Sequence, residues 1–114
     1  MNDPMQRLND IIVRCGEAAK LVERGRDTFE NDVLLRHAAR SIVADIGEAA
    51  KNLDDLTNAI PTVPWNQIAR MRDRVMHRYF DVDYTVVWDT LEFDLPNLAN
   101  AIREFLDTTG RKAK

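Results

Sequence analysis

Residues 35–56 read LRHAARSIVADIGEAAKNLDDL and carry the clearest helical pattern in the chain. Apolar side chains recur in this stretch at spacings of three and four: Leu35, Ala38, Ile42, Ile46, Ala49, Leu53 and Leu56. Such spacing places them along one side of an α-helix. We predict that this second and longest helix begins near Thr28 or Asn31, each of which can cap it, and meets no breaker before Pro61.

The first helix is predicted from about Pro4 to Arg24. Asp3 is a suitable N-cap, and Pro4 fits the first helical position because its missing N–H is not needed there. Gly25 is a plausible stop at the carboxyl end. An apolar stripe supports the assignment: Leu8, Ile11, Ile12, Cys15, Ala18, Ala19 and Val22.

Two more helices follow a loop that we place at residues 57–64. Pro64 can begin the third helix just before Trp65, and Asp83 can cap the fourth. Pro96 interrupts the fourth helix, so we expect a kink or a split there. Four helices in 114 residues predict an all-α fold in a single domain, residues 1–114, with a frayed tail at about 108–114.

Composition narrows the classes of function. The formal net charge of -3 and the isoelectric point near 5.3 disfavour a protein that coats nucleic acid with its whole surface, so a polyanion site must be local. Cys15 is the single cysteine, which excludes an intrachain disulfide and predicts a small core residue. Without a signal-like start or an apolar run near ~20 residues, we expect a cytoplasmic protein with no membrane contact.

Residues 70–88, RMRDRVMHRYFDVDYTVVW, concentrate the chemistry of the chain. Five side chains of the kinds used on phosphate esters fall within ten positions: Arg70, Arg72, Arg74, His77 and Tyr79. At about 100° per residue, Arg72 projects into the apolar stripe of the third helix, while His77 lies roughly 140° around the helix from it. The two can meet only if the helix ends there or if a second copy of the chain supplies one of them.

Each of these residues also has an ordinary structural interpretation. Arg72 can be a structural arginine paired with Asp45 or Glu48, two acids that flank the stripe of the second helix and are candidates for a partly buried charge. Arg70 and Arg74 can be part of a solvated face. His77 can be a helix-end histidine and Tyr79 a core aromatic. His37 has no second ligand spaced around it as a metal site requires, so we assign no metal.

The sequence resembles the HEPN-domain family, and within it the HepT-like toxins of prokaryotic toxin–antitoxin modules. The family signature is RxxxxHxY with a polar residue after the arginine, and Arg72, Asp73, His77 and Tyr79 occupy its places. Asp73 stands where asparagine is common. The resemblance extends to further segments across nearly the whole chain: Asp45-Ile46-Gly47-Glu48-Ala49, Val63-Pro64-Trp65, Met71-Arg72, Val82-Asp83 and Asp94-Leu95-Pro96.

This resemblance implies an up-and-down four-helix bundle that forms a homodimer or a higher homo-oligomer, with two copies of the motif in one cleft. It also implies an endoribonuclease that needs no metal or other cofactor. Arg72 and His77 would be catalytic, with Asp73, Tyr79, Arg70 and Arg74 as supporting or substrate-binding residues.

The implied reaction is attack of an RNA 2′-hydroxyl on the adjacent phosphorus. A histidine suits the proton transfer because its unperturbed pKa is about 6.5, and an arginine suits the phosphate because its planar fork stays charged. Resembling members are silenced by a partner nucleotidyltransferase (MNT) antitoxin that transfers AMP to the motif tyrosine, here Tyr79. The rival hypothesis is a non-catalytic helical dimer that binds a nucleotide or docks on such a partner.

Overall fold

The computed structural model describes the backbone of residues 3–77 and 82–113, and the side chains of residues 3–76 and 82–109. Within those ranges the chain is almost entirely helical and forms no strand, which confirms the predicted all-α fold. The helices are α1 (Pro4–Glu23), α2 (Arg26–Asn31), α3 (Val33–Lys51), α4 (Leu56–Ala59), α5 (Trp65–His77), α6 (Tyr84–Asp89) and α7 (Leu95–Ala113), with a π-helical segment, Thr90–Asp94, between α6 and α7.

Four long units make up the bundle: α1, α3, α5 and the continuous α6–π–α7 helix. Helix α3 is central, because it packs against α1 on one side and α5 on the other, while α1 also packs against α7 and the π segment. The largest fully buried side chains come from all four units, from α2 and from the segment after α3: Phe29, Leu8, Ile11, Ile46, Leu53, Leu91, Ile102, Val75 and Val87.

The first helix forms as predicted. The Asp3 carboxylate accepts a hydrogen bond from the Met5 N–H at 3.0 Å, and Pro4 is the first helical residue. Gly25 follows the carboxyl end with φ of 89°, a left-handed conformation that costs a glycine little. Cys15 is buried in α1, and burial raises the pKa of its thiol to about 12. The thiol therefore behaves as the core residue that the sequence predicts.

The prediction of one unbroken second helix is wrong at both ends. Asp32 is extended and caps α3 instead of Thr28 or Asn31: its carboxylate accepts hydrogen bonds from the N–H groups of Leu34 at 2.9 Å and Leu35 at 3.4 Å. The residues before it form the separate helix α2. A short acidic side chain that bonds to nearby N–H groups favours a helix start over a helix interior.

The carboxyl end of α3 lies at Lys51, and the segment predicted to remain helical breaks at residues 52–55. Asp54 has φ of 54°, which an α-helix cannot accommodate. A single helical turn, α4, then occupies part of the predicted loop. Leu53 is nevertheless fully buried, so the apolar period extends beyond the helix that it suggests.

The last helix does not split at Pro96. Its hydrogen-bonding pattern changes just before the proline instead. Asp83 caps α6 as predicted, accepting from the Thr85 N–H at 3.0 Å. The Leu95 N–H then reaches the Thr90 carbonyl, five residues back, which closes the π-helical segment. The wider turn accommodates a proline that cannot donate and that would crowd a regular turn. Helix continues through Ala113, and the long axis of the protein is 47 Å.

Helices α3 and α5 approach most closely where Gly47 meets Arg72. A Cβ atom built on Gly47 would lie 2.1 Å from the Arg72 Cβ and 3.3 Å from its Cα. No side chain fits between the two backbones, so glycine is required at this crossing. Gly16 in the middle of α1, by contrast, has nothing within 4 Å of the same position.

These two glycines form a matched pair for a stability measurement. Gly47→Ala should lower the free energy of unfolding by about 1–3 kcal/mol or more, because the added methyl forces α5 away from α3. Gly16→Ala should raise it by roughly 0.5–1 kcal/mol, since alanine is the better helix former and meets open space. Urea unfolding followed by circular dichroism measures both. Equal effects of the two substitutions would contradict the close approach.

Candidate active site

A cleft of about 460 Å³ opens between α3 and α5 beside the Gly47 crossing. It is lined by His37, Arg40, Ser41, Ala44, Asp45, Glu48, Arg72, Val75 and Met76. Six of these residues lie on α3 and three on α5, so the packing of the two helices fixes its shape. A second cavity, about 420 Å³ and mainly apolar, lies between α5 and α7, and Arg72 does not line it. The charged cleft is therefore the candidate site.

Arg72 lies in the wall of this cleft with 25% of its side chain exposed. Its Nη2 is 3.0 Å from Glu48 Oε1, and its Nη1 is 3.2 Å from Asp73 Oδ1. The Nε atom is buried and has no hydrogen-bond partner among the described residues. Two carboxylates therefore hold the outer edge of the guanidinium, while the Cβ and Cγ are clamped over Gly47.

Glu48, one of the two acids predicted as partners, pairs with Arg72. The prediction that Asp45 and Glu48 are partly buried charges is wrong. The Glu48 side chain is 53% exposed and that of Asp45 is 55% exposed. Asp45 instead lies 3.5 Å from Arg14 of α1. Because both carboxylates remain in contact with water, loss of Arg72 would not strand a buried anion.

Asp73 connects Arg72 to a lysine of α3. Lys51 donates a hydrogen bond to Asp73 Oδ1 at 2.8 Å, the same oxygen that Arg72 approaches. The hydrogen bond from Lys51, followed by that from Arg72, holds the pKa of the Asp73 carboxyl below its usual range. Asp73 is therefore an anion shared by two cations at one end of the cleft.

Of the other predicted site residues, the structure describes Arg70 and Arg74 fully, His77 in part and Tyr79 not at all. Arg70 and Arg74 are exposed on α5, which is consistent with a solvated cationic face. Arg74 lines a neighbouring depression with Val82 and Asp83. His77 is the last residue of α5, and its side chain lies outside the described residues, as does the whole of Tyr79.

Only part of the contribution of α3 to the cleft could be predicted from the sequence, which places Asp45 and Glu48 as possible partners of Arg72. His37 and Arg40 line the cleft opposite Arg72, although neither belongs to the motif. A signal was present, because His37, Ser41, Asp45 and Glu48 recur every three or four residues and so share one polar face of α3. That face forms a cleft wall only because α5 packs beside it, and the sequence pattern of α3 does not reveal this packing.

Comparison with known proteins assigns the chain to a family. The family model described as "Ribonuclease HepT-like" matches residues 11–105. The chain belongs to the HepT-like ribonuclease family. This places it in the HEPN superfamily, as the sequence resemblance indicated.

Several named relatives match this HepT-like chain over most of its length. It is 36% identical to "Putative RNase TTE0752" of Caldanaerobacter subterraneus, over 93% of this chain and 96% of the relative. It is also 36% identical to "Probable ribonuclease HepT" of Thermococcus cleftensis, over 78% of this chain and 86% of the relative. No solved structure gives a significant match.

The described part of this HepT-like chain contains neither a group of metal-ligating side chains nor a helix suited to a membrane. Among those residues, no three His, Cys, Asp or Glu side chains are grouped so that they could hold a metal ion. In the same part of the chain, no helix has the length and apolar character needed to cross a bilayer.

The shared Asp73 carboxylate predicts a pH dependence. Its pKa is lowered in the fold, so the stability that it adds is present above the ordinary carboxyl pKa of ~3.9 and disappears as the pH falls through the lowered value. Asp73→Asn should therefore be less stable than the wild type at pH 7 and equal to it in strong acid. Urea unfolding across this pH range measures the difference.

Lys51→Met is the control, because Lys51 is the larger cause of the shift. In the Lys51→Met background, Asp73→Asn should change stability much less than in the wild type. An unchanged pH dependence in that background would contradict the assigned pair.

Proposed function

We propose that the protein is the toxin of a prokaryotic toxin–antitoxin module and acts as a metal-independent endoribonuclease. The observation that supports this most is the placement of Arg72: a fixed guanidinium in the wall of an open cleft, five residues before His77 in the same helix. Membership of the HepT-like ribonuclease family supports the substrate class, RNA. Asp73, Arg70, Arg74 and Tyr79 are the proposed supporting residues.

In the proposed reaction His77 accepts the proton of a 2′-hydroxyl, whose oxygen attacks the adjacent phosphorus. The bond from phosphorus to the 5′-oxygen breaks, and that oxygen takes up a proton as it leaves. A cyclic phosphate and a 5′-hydroxyl end result, so electrons and protons balance without a metal. Arg72 stabilises the charge that develops on the phosphoryl oxygens.

The resting contacts of Arg72 set a condition for this role. Both Nη atoms are already paired with carboxylates, so a phosphate that binds both of them in the bidentate manner would replace one of these contacts. Asp73 is the easier contact to give up, because Lys51 bonds to the same oxygen at the shorter distance of 2.8 Å. Glu48 can meanwhile keep the guanidinium oriented. In this proposal Asp73 stays bonded to Lys51, and a phosphate of the RNA replaces Asp73 as the partner of Arg72.

A second copy of the chain completes the proposed site. Five residues of regular helix separate Arg72 from His77 by roughly 140°, which directs them to different sides of α5. A two-fold axis near the carboxyl end of α5 would bring each residue close to its counterpart in the partner. Exposed apolar side chains support this surface: Met76 in the cleft is 50% exposed and Leu34, one turn before His37, is 74% exposed.

The proposed control is transfer of AMP from ATP to Tyr79 by a partner nucleotidyltransferase, the antitoxin. Tyr79 lies two residues after His77 in the motif. A nucleotide on its phenolic oxygen would add bulk and negative charge near the reacting groups. Its phosphate would compete with RNA for Arg72 through the same charge-assisted hydrogen bonds.

Cleavage of a defined RNA in EDTA tests the catalytic assignment. His77→Ala and Arg72→Ala should each abolish cleavage, because one removes the proton acceptor and the other the phosphate cation. The chain has two histidines. The second, His37, lines the same cleft, so the control is Arg103→Ala, an exposed residue of α7 outside the cleft, which should retain the activity. Cleavage by His77→Ala at the wild-type rate would contradict the assignment and favour a module that binds without catalysis.

The oligomeric state is tested by the mass in solution. A homodimer at micromolar concentration should have twice the chain mass of 13.1 kDa. Met76→Glu should shift it to the monomer, because a charge would be placed in the proposed apolar contact. Val13→Glu alters an equally exposed apolar residue on α1 and should remain dimeric. A wild type that is only monomeric would remove the shared site.

Labelling by the partner enzyme tests the role of Tyr79. Co-expression with a cognate nucleotidyltransferase should add one or more AMP masses to the wild type and none to Tyr79→Phe. The chain has two tyrosines, so Tyr84→Phe is the matched control and should be labelled as the wild type is. Equal labelling of the Tyr79→Phe and Tyr84→Phe variants would exclude Tyr79 as the acceptor.

A further inference from the structure

The carboxyl end of α5 is attached to α3 through a hydrogen bond that the family motif does not include. Arg40 Nη2 donates to the Val75 carbonyl at 3.3 Å, between residues 35 apart in the chain. The guanidinium is partly buried, and Val75 itself is 2% exposed. The acceptor therefore lies against the core and two residues before His77.

The Val75 carbonyl lies two residues before His77, the last residue of α5 that the structure describes. A carbonyl oxygen has two lone pairs and can accept a hydrogen bond from a side chain. A cation near a helix carboxyl end is also favoured by the helix dipole. Arg40 supplies both the donor and the charge, and it does so from another helix.

Arg40 and Gly47 are seven residues apart and so lie on nearly the same face of α3. Helix α5 consequently meets that face at two places: Arg72 over Gly47, and the Val75 carbonyl at Arg40. The Lys51–Asp73 and Arg72–Glu48 pairs also join α5 to α3, but both lie beside the Gly47 crossing. Of these polar contacts the one from Arg40 is nearest to the end of α5, so it bears most directly on where His77 lies relative to Arg72.

We propose that Arg40 is a positioning residue for the reaction: it anchors the last turn of α5 and thereby holds His77 in register with Arg72. This inference rests on the proposed function, because it takes His77 as the catalytic base. Arg40 acts through the Val75 carbonyl and not on the substrate.

The experiment compares the wild type with Arg40→Met, which removes the donor, and Arg40→Lys, which retains a cationic donor. Arg103→Met is the matched control, because Arg103 is an exposed arginine of α7 outside the cleft. Amide hydrogen exchange in residues 73–77 and in α1, and kcat and KM on a defined RNA in EDTA, are measured for each. If Arg40→Met does not fold, Arg40→Gln takes its place.

Arg40→Met should speed exchange at the end of α5 about tenfold, with α1 unchanged, and lower kcat about 10- to 100-fold with KM near the wild-type value. Arg40→Lys should recover part of both effects, and Arg103→Met should match the wild type. Unchanged exchange would overturn the anchor. Faster exchange with an unchanged kcat would overturn the positioning role, as would a rise in KM alone, which indicates a direct contact with RNA.

An inactive wild type would refute the proposed function separately. In that case the anchor is judged by exchange alone, which needs no substrate. Faster exchange in Arg40→Met would then support the attachment of α5, and unchanged exchange would refute it.

Discussion

The missing side chain at Gly47 is the constraint on which the site depends. Because no Cβ lies between the helices, the backbone of α5 can come into contact distance of α3 at Arg72. At that contact the Arg72 side chain lies over the glycine. Its Nη2 atom is then 3.0 Å from Oε1 of Glu48, the next residue after the glycine. Packing and charge placement are thus two results of one close approach.

The electrostatics of the cleft are compatible with the proposed binding of a polyanion by an acidic protein. The formal net charge is -3, yet three cations lie where α3 and α5 pack together: Arg72, Arg40 and Lys51. The carboxylates of Glu48 and Asp73 orient Arg72 without burying it, since each retains contact with water. Surface pairs of this kind add little stability, so a phosphate can displace one of them at small cost.

Much of the scaffold could be predicted from the sequence, and the reasons for the rest are specific. The apolar periods of α1 and α3, the Asp83 cap and the irregularity at Pro96 are local features, and local spacing reveals them. The break after Lys51 was hidden because the apolar period runs past it, and Leu53 stays in the core after α3 has ended.

Only part of the candidate site could be predicted from the sequence. The motif identified Arg72, and the flanking acids suggested a partner, but the exposure of Glu48 and the pairing of Asp45 with Arg14 depend on how three helices meet. The anchoring contact of Arg40 joins residues 35 apart and has no sequence spacing that would reveal it.

The π-helical segment has a consequence for how the chain could change in length. A π turn is an α-helix that has taken in one extra residue, and residues on its two sides are rotated by roughly 100° relative to an unbroken helix. Here Trp88 before the segment, Leu91 within it, and Leu98 and Ile102 after it are all buried in the core. Deleting one residue from Thr90–Asp94 would remove the extra residue and restore a regular α-helix with its two halves in the same relative orientation. The irregular turn is therefore the place where the last helix can lose a residue while both halves keep facing the core, and the cost would be the crowding at Pro96 that the wider turn relieves.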